Sequence, residues 1–183
     1  MKFEKIFLIF LFTCGVFFSA QSSQKNVLNN LFNQLERVNN SKNATLLEER
    51  IWSIWNKHPT NNKLTEKLEF GTELLQYGNY NYALKVFSNI LESDPKWSEA
   101  WNKRATVYFL MSQFTNSLND IDKVLDIEPR HFGALSGQAR IFIKLQEYEK
   151  AIQSIENALK FYPSFKSREL IPEIERLIKE DSI

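Results

Sequence analysis

The chain has 183 residues, which bounds it to one domain of ordinary size once any leader is removed. Charged residues supply 25% and aromatics 14%, a profile that excludes a disordered chain. A net charge of +1, with no basic stripe interleaved with the aromatics, gives no pull towards nucleic acid.

Residues 1–20 stand apart from the rest. Lys2 and Lys5 precede an apolar run from Ile6 to Phe12, which resumes after Thr13-Cys14-Gly15 as Val16-Phe17-Phe18. The small residues Ser19, Ala20, Ser22 and Ser23 follow. A basic head, an apolar span and small residues behind it form a secretory leader by pattern, with cleavage expected after Ala20 or after Ser22. The span is shorter than the roughly 20 residues that cross a bilayer, and an uncleaved anchor is the competing reading. Cys14 is the only cysteine, so a processed chain carries no thiol and neither uses disulfides nor is harmed by an oxidising compartment. Thr13 is a poor match to the small residue expected before a lipidated cysteine.

From Gln24 to Val38, residues Val27, Leu28, Leu31, Phe32, Leu35 and Val38 fall at helical spacing. The polar run Asn39 to Asn43 ends that helix. A second one caps on Ser41 or on Thr45, where Thr45-Leu46-Leu47-Glu48 has the spacing of a capping box. Its apolar set is Leu47, Ile51, Ile54 and Trp55, with Trp52 beside them. This pair reads as a degenerate first repeat, covering the end of the first full one.

A prolyl turn then recurs at Asp94-Pro95, Glu128-Pro129 and Tyr162-Pro163, a step of 34 residues twice over. A fixed period of this size is the mark of stacked two-helix units. In register the units are 64–97, 98–131 and 132–165. Position 8 is small in each (Gly71, Ala105, Ala139), as is position 20 (Ala83, Ser117, Ala151). Position 24 (Phe87, Ile121, Ile155) and position 27 (Ile90, Val124, Ala158) are mostly larger and apolar. Helices are predicted at about 63–76, 80–92, 97–111, 114–126, 131–144 and 148–160. Gly133 and Gly137 each cost about 1 kcal/mol in a helix, so close packing or a backbone contact with a ligand is expected there. A last helix starting near Leu170 or Ile171, with Pro172 in its first turn, reads as a solvating cap.

These units resemble the tetratricopeptide repeat family, whose consensus has Trp or Leu at position 4, Gly or Ala at 8, Tyr at 11 or 17, Ala at 20 and Pro at 32. Trp101 and Leu135 match position 4, Tyr80 and Tyr148 match 17, and all three prolines match 32. Lys67, Arg104 and Ser117 depart from it. The tract Pro129 to Gly137 and the segment Arg50 to Trp55 are similar to stretches of small exported repeat proteins of alphaproteobacteria. The resemblance implies an all-α, right-handed superhelix of helical hairpins with a C-terminal capping helix. The expected organisation is a signal peptide over 1–22, a degenerate N-terminal helical pair over 23–62, three repeat units over 63–165, and a capping helix over 166–183.

In this family positions 2, 5, 9, 12 and 13 of each unit's first helix line a concave groove. The candidate peptide-binding residues are therefore Thr72, Asn102, Thr106, Phe109, Arg140, Ile143 and Lys144. Asn102 can both donate to and accept from a peptide backbone, and Arg140 offers a planar fork to a carboxylate. The carboxylate clamp found in some members would fall on Leu68, Thr72, Lys103, Gly133 and Gly137, none of which matches, so that mode is not expected. No catalytic, metal or cofactor site is expected, because His58 and His131 lie in separate turns and no metal or phosphate motif occurs. Asp120, Asp122 and Asp126 read as the wet side of a helix. Together these readings imply a non-catalytic protein-interaction module, an adaptor or assembly factor in the cell envelope and in particular the bacterial periplasm. Its partner would be a protein or peptide. The alternative is a structural subunit, including a homo-oligomer, whose groove is occluded; residues after Pro163 packing into the groove would favour it.

Overall fold

A computed structural model describes residues 22–38 and 40–181. Among them every regular element is helical. After α1 (22–35) come α2 (Ser41–Trp55), α3 (Asn62–Gln76), α4 (Tyr80–Ser93), α5 (Ser98–Leu110), α6 (Phe114–Ile127), α7 (Phe132–Lys144) and α8 (Tyr148–Leu159). A short 3-10 turn (Lys166–Leu170) leads into α9 (Ile171–Asp181). The leader expected over residues 1–22 lies outside the described residues except at Ser22.

Pairs α3–α4, α5–α6 and α7–α8 are the three hairpins that the 34-residue period implies. Positions 8, 20, 24 and 27 are buried in every unit, so the small side chains set the close approach of the two helices and the larger ones fill it. Gly71 shows how tight this is, since a Cβ there would lie 2.6 Å from the Phe87 ring.

Each hairpin turns the same way. Gly78, Ser112 and Gln146, all at position 15, adopt left-handed backbone with φ of 76°, 57° and 60°. The next amide donates to a carbonyl five residues back, Asn79 to Leu74, Gln113 to Tyr108 and Glu147 to Phe142, each at 2.8 Å. This is the Schellman closure, which satisfies carbonyls that a helix end would otherwise leave open. The second helix of each of the first two units stops at the residue before proline, where Asp94 (ψ 94°) and Glu128 (ψ 90°) are driven out of the helical region.

Two departures from the repeat consensus tie the hairpins together. Arg104 donates from Nε and Nη2 to both oxygens of Asp120 at 2.8 Å and from Nη1 to Ser88 at 3.1 Å, while its guanidinium lies 4.8 Å from the Trp101 ring centroid. Asp120 is thus buried and paired, not on the wet side of α6. Ser117 donates to the Ala105 carbonyl at 2.8 Å across its own hairpin. At the far end α9 buries Ile174 against Ala139, Ala151 and Ile155, leaving Glu173, Arg176, Lys179 and Glu180 in water.

The N-terminal hairpin is placed differently from expectation. Asn40, not Ser41 or Thr45, caps α2, accepting from the amides of Lys42 at 2.9 Å and Asn43 at 3.2 Å. α1 ends at 35, and Val38 reaches its core from beyond the following turn. The hairpin does not cover the first unit. Its core residues Phe32, Leu47, Ile51 and Trp55 pack with Phe132, Leu135, Ala158 and Tyr162 of the third unit, whereas the first unit has a core of its own. The reason is that α2 runs along the three prolyl turns. Trp97 at the first donates to the Trp55 carbonyl at 2.9 Å, His131 at the second stacks on the Trp55 ring at 4.0 Å, and the Tyr162 hydroxyl at the third donates to Glu48 at 2.9 Å. Asn29 of α1 adds a contact by accepting from Arg130 at 3.0 Å. Trp97 is consequently buried, more so than Trp101 at consensus position 4.

Candidate binding groove

The first helices of the units, α3, α5 and α7, face a cavity of about 370 Å³. Leu75, Asn102, Thr106, Phe109, Gly137 and Arg140 line it from these helices, and Ile121 and Ser117 form part of its floor. Glu48 and Trp52 of α2 and Phe165 after the third prolyl turn supply a wall that belongs to none of the groove positions. The sequence carries no periodic signal for that wall, because it comes from outside the repeats.

Of the seven residues expected in the groove, Asn102, Thr106, Phe109 and Arg140 line this cavity together. Thr72, Ile143 and Lys144 are not among its lining residues. Thr72 donates its hydroxyl back to the Leu68 carbonyl at 2.8 Å, Ile143 packs towards α9 with Ile174, and Lys144 is exposed at the end of α7. Phe109 lies 5.9 Å from Phe114, half-buried between α5 and α6.

Beneath Trp52 and Trp55 lies a polar cluster that the sequence did not disclose. Glu99 and His131 are fully buried and joined at 3.0 Å between Oε2 and Nε2. His131 Nδ1 accepts the Ala134 amide at 3.1 Å and so caps α7, which leaves Nε2 as the protonated nitrogen that donates to Glu99. Asn102 also donates to Glu99 at 3.1 Å, and Lys103 pairs with its other oxygen at 3.2 Å. Burial alone would raise the Glu99 carboxyl; the His131 hydrogen bond and the Lys103 charge outweigh it and hold the group below its ordinary range. Glu99 and His131 form the foundation under α2. The signal in the sequence was a histidine at the N-cap position of a helix.

His58 follows the same plan. Its Nε2 meets Asp94 at 2.8 Å, and its Nδ1 takes the amides of Thr60 and Asn61 at 3.2 and 3.0 Å. Each histidine therefore does meet a carboxylate despite the separate turns, but both ring nitrogens are engaged in holding a turn and neither offers a free lone pair to a substrate. Among the described residues no group of His, Cys, Asp and Glu side chains could hold a metal ion.

At the third turn, burial and the hydrogen bond given to Glu48 raise the Tyr162 hydroxyl above its ordinary range, which keeps it a donor. Trp52 Nε1 donates to the second Glu48 oxygen at 3.3 Å. Phe165 meets the Phe132 ring at 5.4 Å, and Ser167 is hydrogen-bonded to Ser136 at 2.9 Å.

Helical hairpins repeating at 34 residues around such a concave face define the tetratricopeptide repeat fold. The profile of the anaphase-promoting complex, cyclosome, subunit 3 family matches residues 76–158. A TPR repeat-containing protein of Rhizobium etli is 33% identical over 108 residues, 58% of this chain, and the match spans about half of that relative, 52%. The first TPR of Spaghetti, solved with the HSP90 peptide SRMEEVD, superposes with a TM-score of 0.61 at 21% identity, over 64% of this chain and 94% of that one. A tetratricopeptide repeat protein from Parabacteroides merdae gives 0.58 at 22% identity, over 87% and 61%. At these identities the solved structures establish the fold.

Proposed function

We propose that this chain is a non-catalytic protein-interaction module, an adaptor or assembly factor, that holds a peptide segment of its partner in the groove between α3, α5 and α7. The observation that carries this reading is the meeting of Asn102, Thr106, Phe109 and Arg140 around one cavity that Leu75 and Ile121 also line. One amide hydrogen of Asn102 is spent on Glu99, which leaves its carbonyl to accept from a peptide backbone. The Spaghetti domain, whose structure holds an HSP90 peptide, is similar in fold. The places of the carboxylate clamp are occupied here by Leu68, Thr72, Lys103, Gly133 and Gly137, so a ligand is held by other contacts.

The leader pattern of residues 1–20 supports export to the bacterial periplasm. Fractionation of cells producing the full chain tests this, with recovery of a shortened form from the periplasm expected and recovery of full-length chain from the cytoplasm contradicting it.

A specific observation also favours a structural subunit with an occluded groove: Phe165 and Ser167, both beyond Pro163, reach the cavity wall and Ser136. A pull-down from the native envelope separates the two readings. The module predicts a partner retained by the wild-type chain and lost from an Asn102→Ala, Arg140→Ala double variant of unchanged helicity. Recovery of the same partner by both forms points to the occluded groove.

A further inference from the structure

We infer that the exposed face of α3 pairs two copies of this chain about a two-fold axis at Phe70, away from the groove. In the second and third units the leading face of the first helix is covered by the hairpin before it. Ala100 and Val107 share a core with Phe87 and Leu91 of α4, and Ala134 and Ile141 share one with Ile121 and Val124 of α6. The first unit has no hairpin on that face, because the N-terminal pair docks on the third unit. The equivalent positions of α3 carry Glu66, Lys67, Phe70, Glu73 and Tyr77, all exposed, with Phe70 at 54% and Tyr77 at 75%. The other end of the array differs: among the described residues of α9, those left exposed are charged, apart from Pro172.

The charges of Glu66, Lys67 and Glu73 bar a further apolar hairpin from stacking on α3, since burying them unpaired is costly. They are complementary to a second α3. In an antiparallel copy turned about Phe70, residues equally far on either side of it come opposite each other. Lys67 then faces Glu73, Lys63 faces Tyr77 for a cation–π contact, and the two Phe70 rings meet at the centre. The side chains of Lys67 and Glu73 have no ion-pair or hydrogen-bond partner among the described residues. A parallel pairing would instead set Lys67 against Lys67 and Glu73 against Glu73, which like charges oppose. Lys67, Phe70, Glu73 and Tyr77 are not among the residues lining the cavity, so the groove stays open in such a dimer. One helix per copy buries less than roughly 1,200 Å² in total, the range of weak and reversible association.

Sedimentation velocity of the purified chain over a concentration series at low salt tests this, and a reversible monomer–dimer equilibrium is expected. Lys67→Glu alone and Glu73→Lys alone should each weaken the dimer roughly tenfold or more, because each sets like charges together at two places across the axis. An equimolar mixture of these two variants should restore association, since each chain then meets opposite charges at both places. Phe70→Ser should weaken the dimer, and Arg140→Ala, in the groove, should leave it unchanged. All these positions are exposed, and circular dichroism is expected to show unchanged helicity. A chain that stays monomeric at the highest concentration, or a dimer that no change on α3 touches, would overturn the proposal. Association weakened by both charge variants but not restored in their mixture would overturn the two-fold pairing and set some other surface against α3.

Discussion

The ring of Trp52 occupies the space in which a side chain at position 133 would begin: a Cβ on Gly133 would lie 2.5 Å from Trp52 Cη2 and 2.9 Å from Cζ2. That ring cannot retreat easily, being packed edge-on against Trp55, His131 and Phe132 at 5.3 to 5.5 Å. The glycine is thus a seat for α2 on the first turn of α7.

Gly133→Ala should destabilise the fold by about 1–3 kcal/mol through overpacking, even though alanine favours a helix by about 1 kcal/mol. Gly137→Ala is the control, because its Cβ would meet Ile121 at 3.7 Å, an ordinary contact. That change should stabilise by up to about 1 kcal/mol. Urea unfolding followed by circular dichroism reads both, and equal signs would refute the seat.

Arg104→Ala leaves Asp120 buried without its cation and should cost about 3–5 kcal/mol. Removing both, as Arg104→Leu with Asp120→Leu, should recover much of that loss. The comparison by chemical denaturation measures a coupling that simple loss of packing would not produce.

Ser112 and Gln146 hold the left-handed position that glycine fills in the first unit. Gln146→Gly should raise stability by about 0.5–1 kcal/mol, the relief of left-handed strain less the greater chain entropy of glycine. Gly78→Ala should lower it, and thermal melts of the two variants check the pair.

Stability should fall in acid through Glu99. Its carboxyl lies below the ordinary value of 4.5 in the fold, so its contribution is complete above about pH 4.5 and is lost as pH drops through the lower folded value. Glu99→Gln should lower the melting temperature near neutrality and flatten its decline in acid. A variant with the wild-type slope would remove Glu99 from the account.

Much of the fold was legible because it is local and periodic. The prolines at a 34-residue step, the paired small residues and the apolar set at positions 24 and 27 each restate one hairpin three times. The docking of the N-terminal hairpin was not legible, since the residues that hold it are far apart in sequence. Glu48 and Tyr162, or Trp55 and His131, share no period, and a helix pair ahead of a repeat array reads as one more unit. Gly133 and Gly137 were local hints, helix-weakening residues for which close packing or a ligand contact was expected; the close neighbour exists at Gly133, where Trp52 sits, and not at Gly137. In the groove, Asn102, Thr106, Phe109 and Arg140 followed from repeat position. Of the other three, Ile143 packs towards α9, Lys144 stands exposed at the end of α7, and Thr72 turns its hydroxyl back to the Leu68 carbonyl.

Partners are expected to enter the groove between the first helices. A photo-crosslinking amino acid placed at Thr106, and in a second strain at Lys123 on the exposed side of α6, tests it in cells without knowledge of the partner. A crosslinked product from position 106 and none from 123 is the predicted result. Crosslinking from 123 with silence at 106 would place the interface on the outer face and contradict the account.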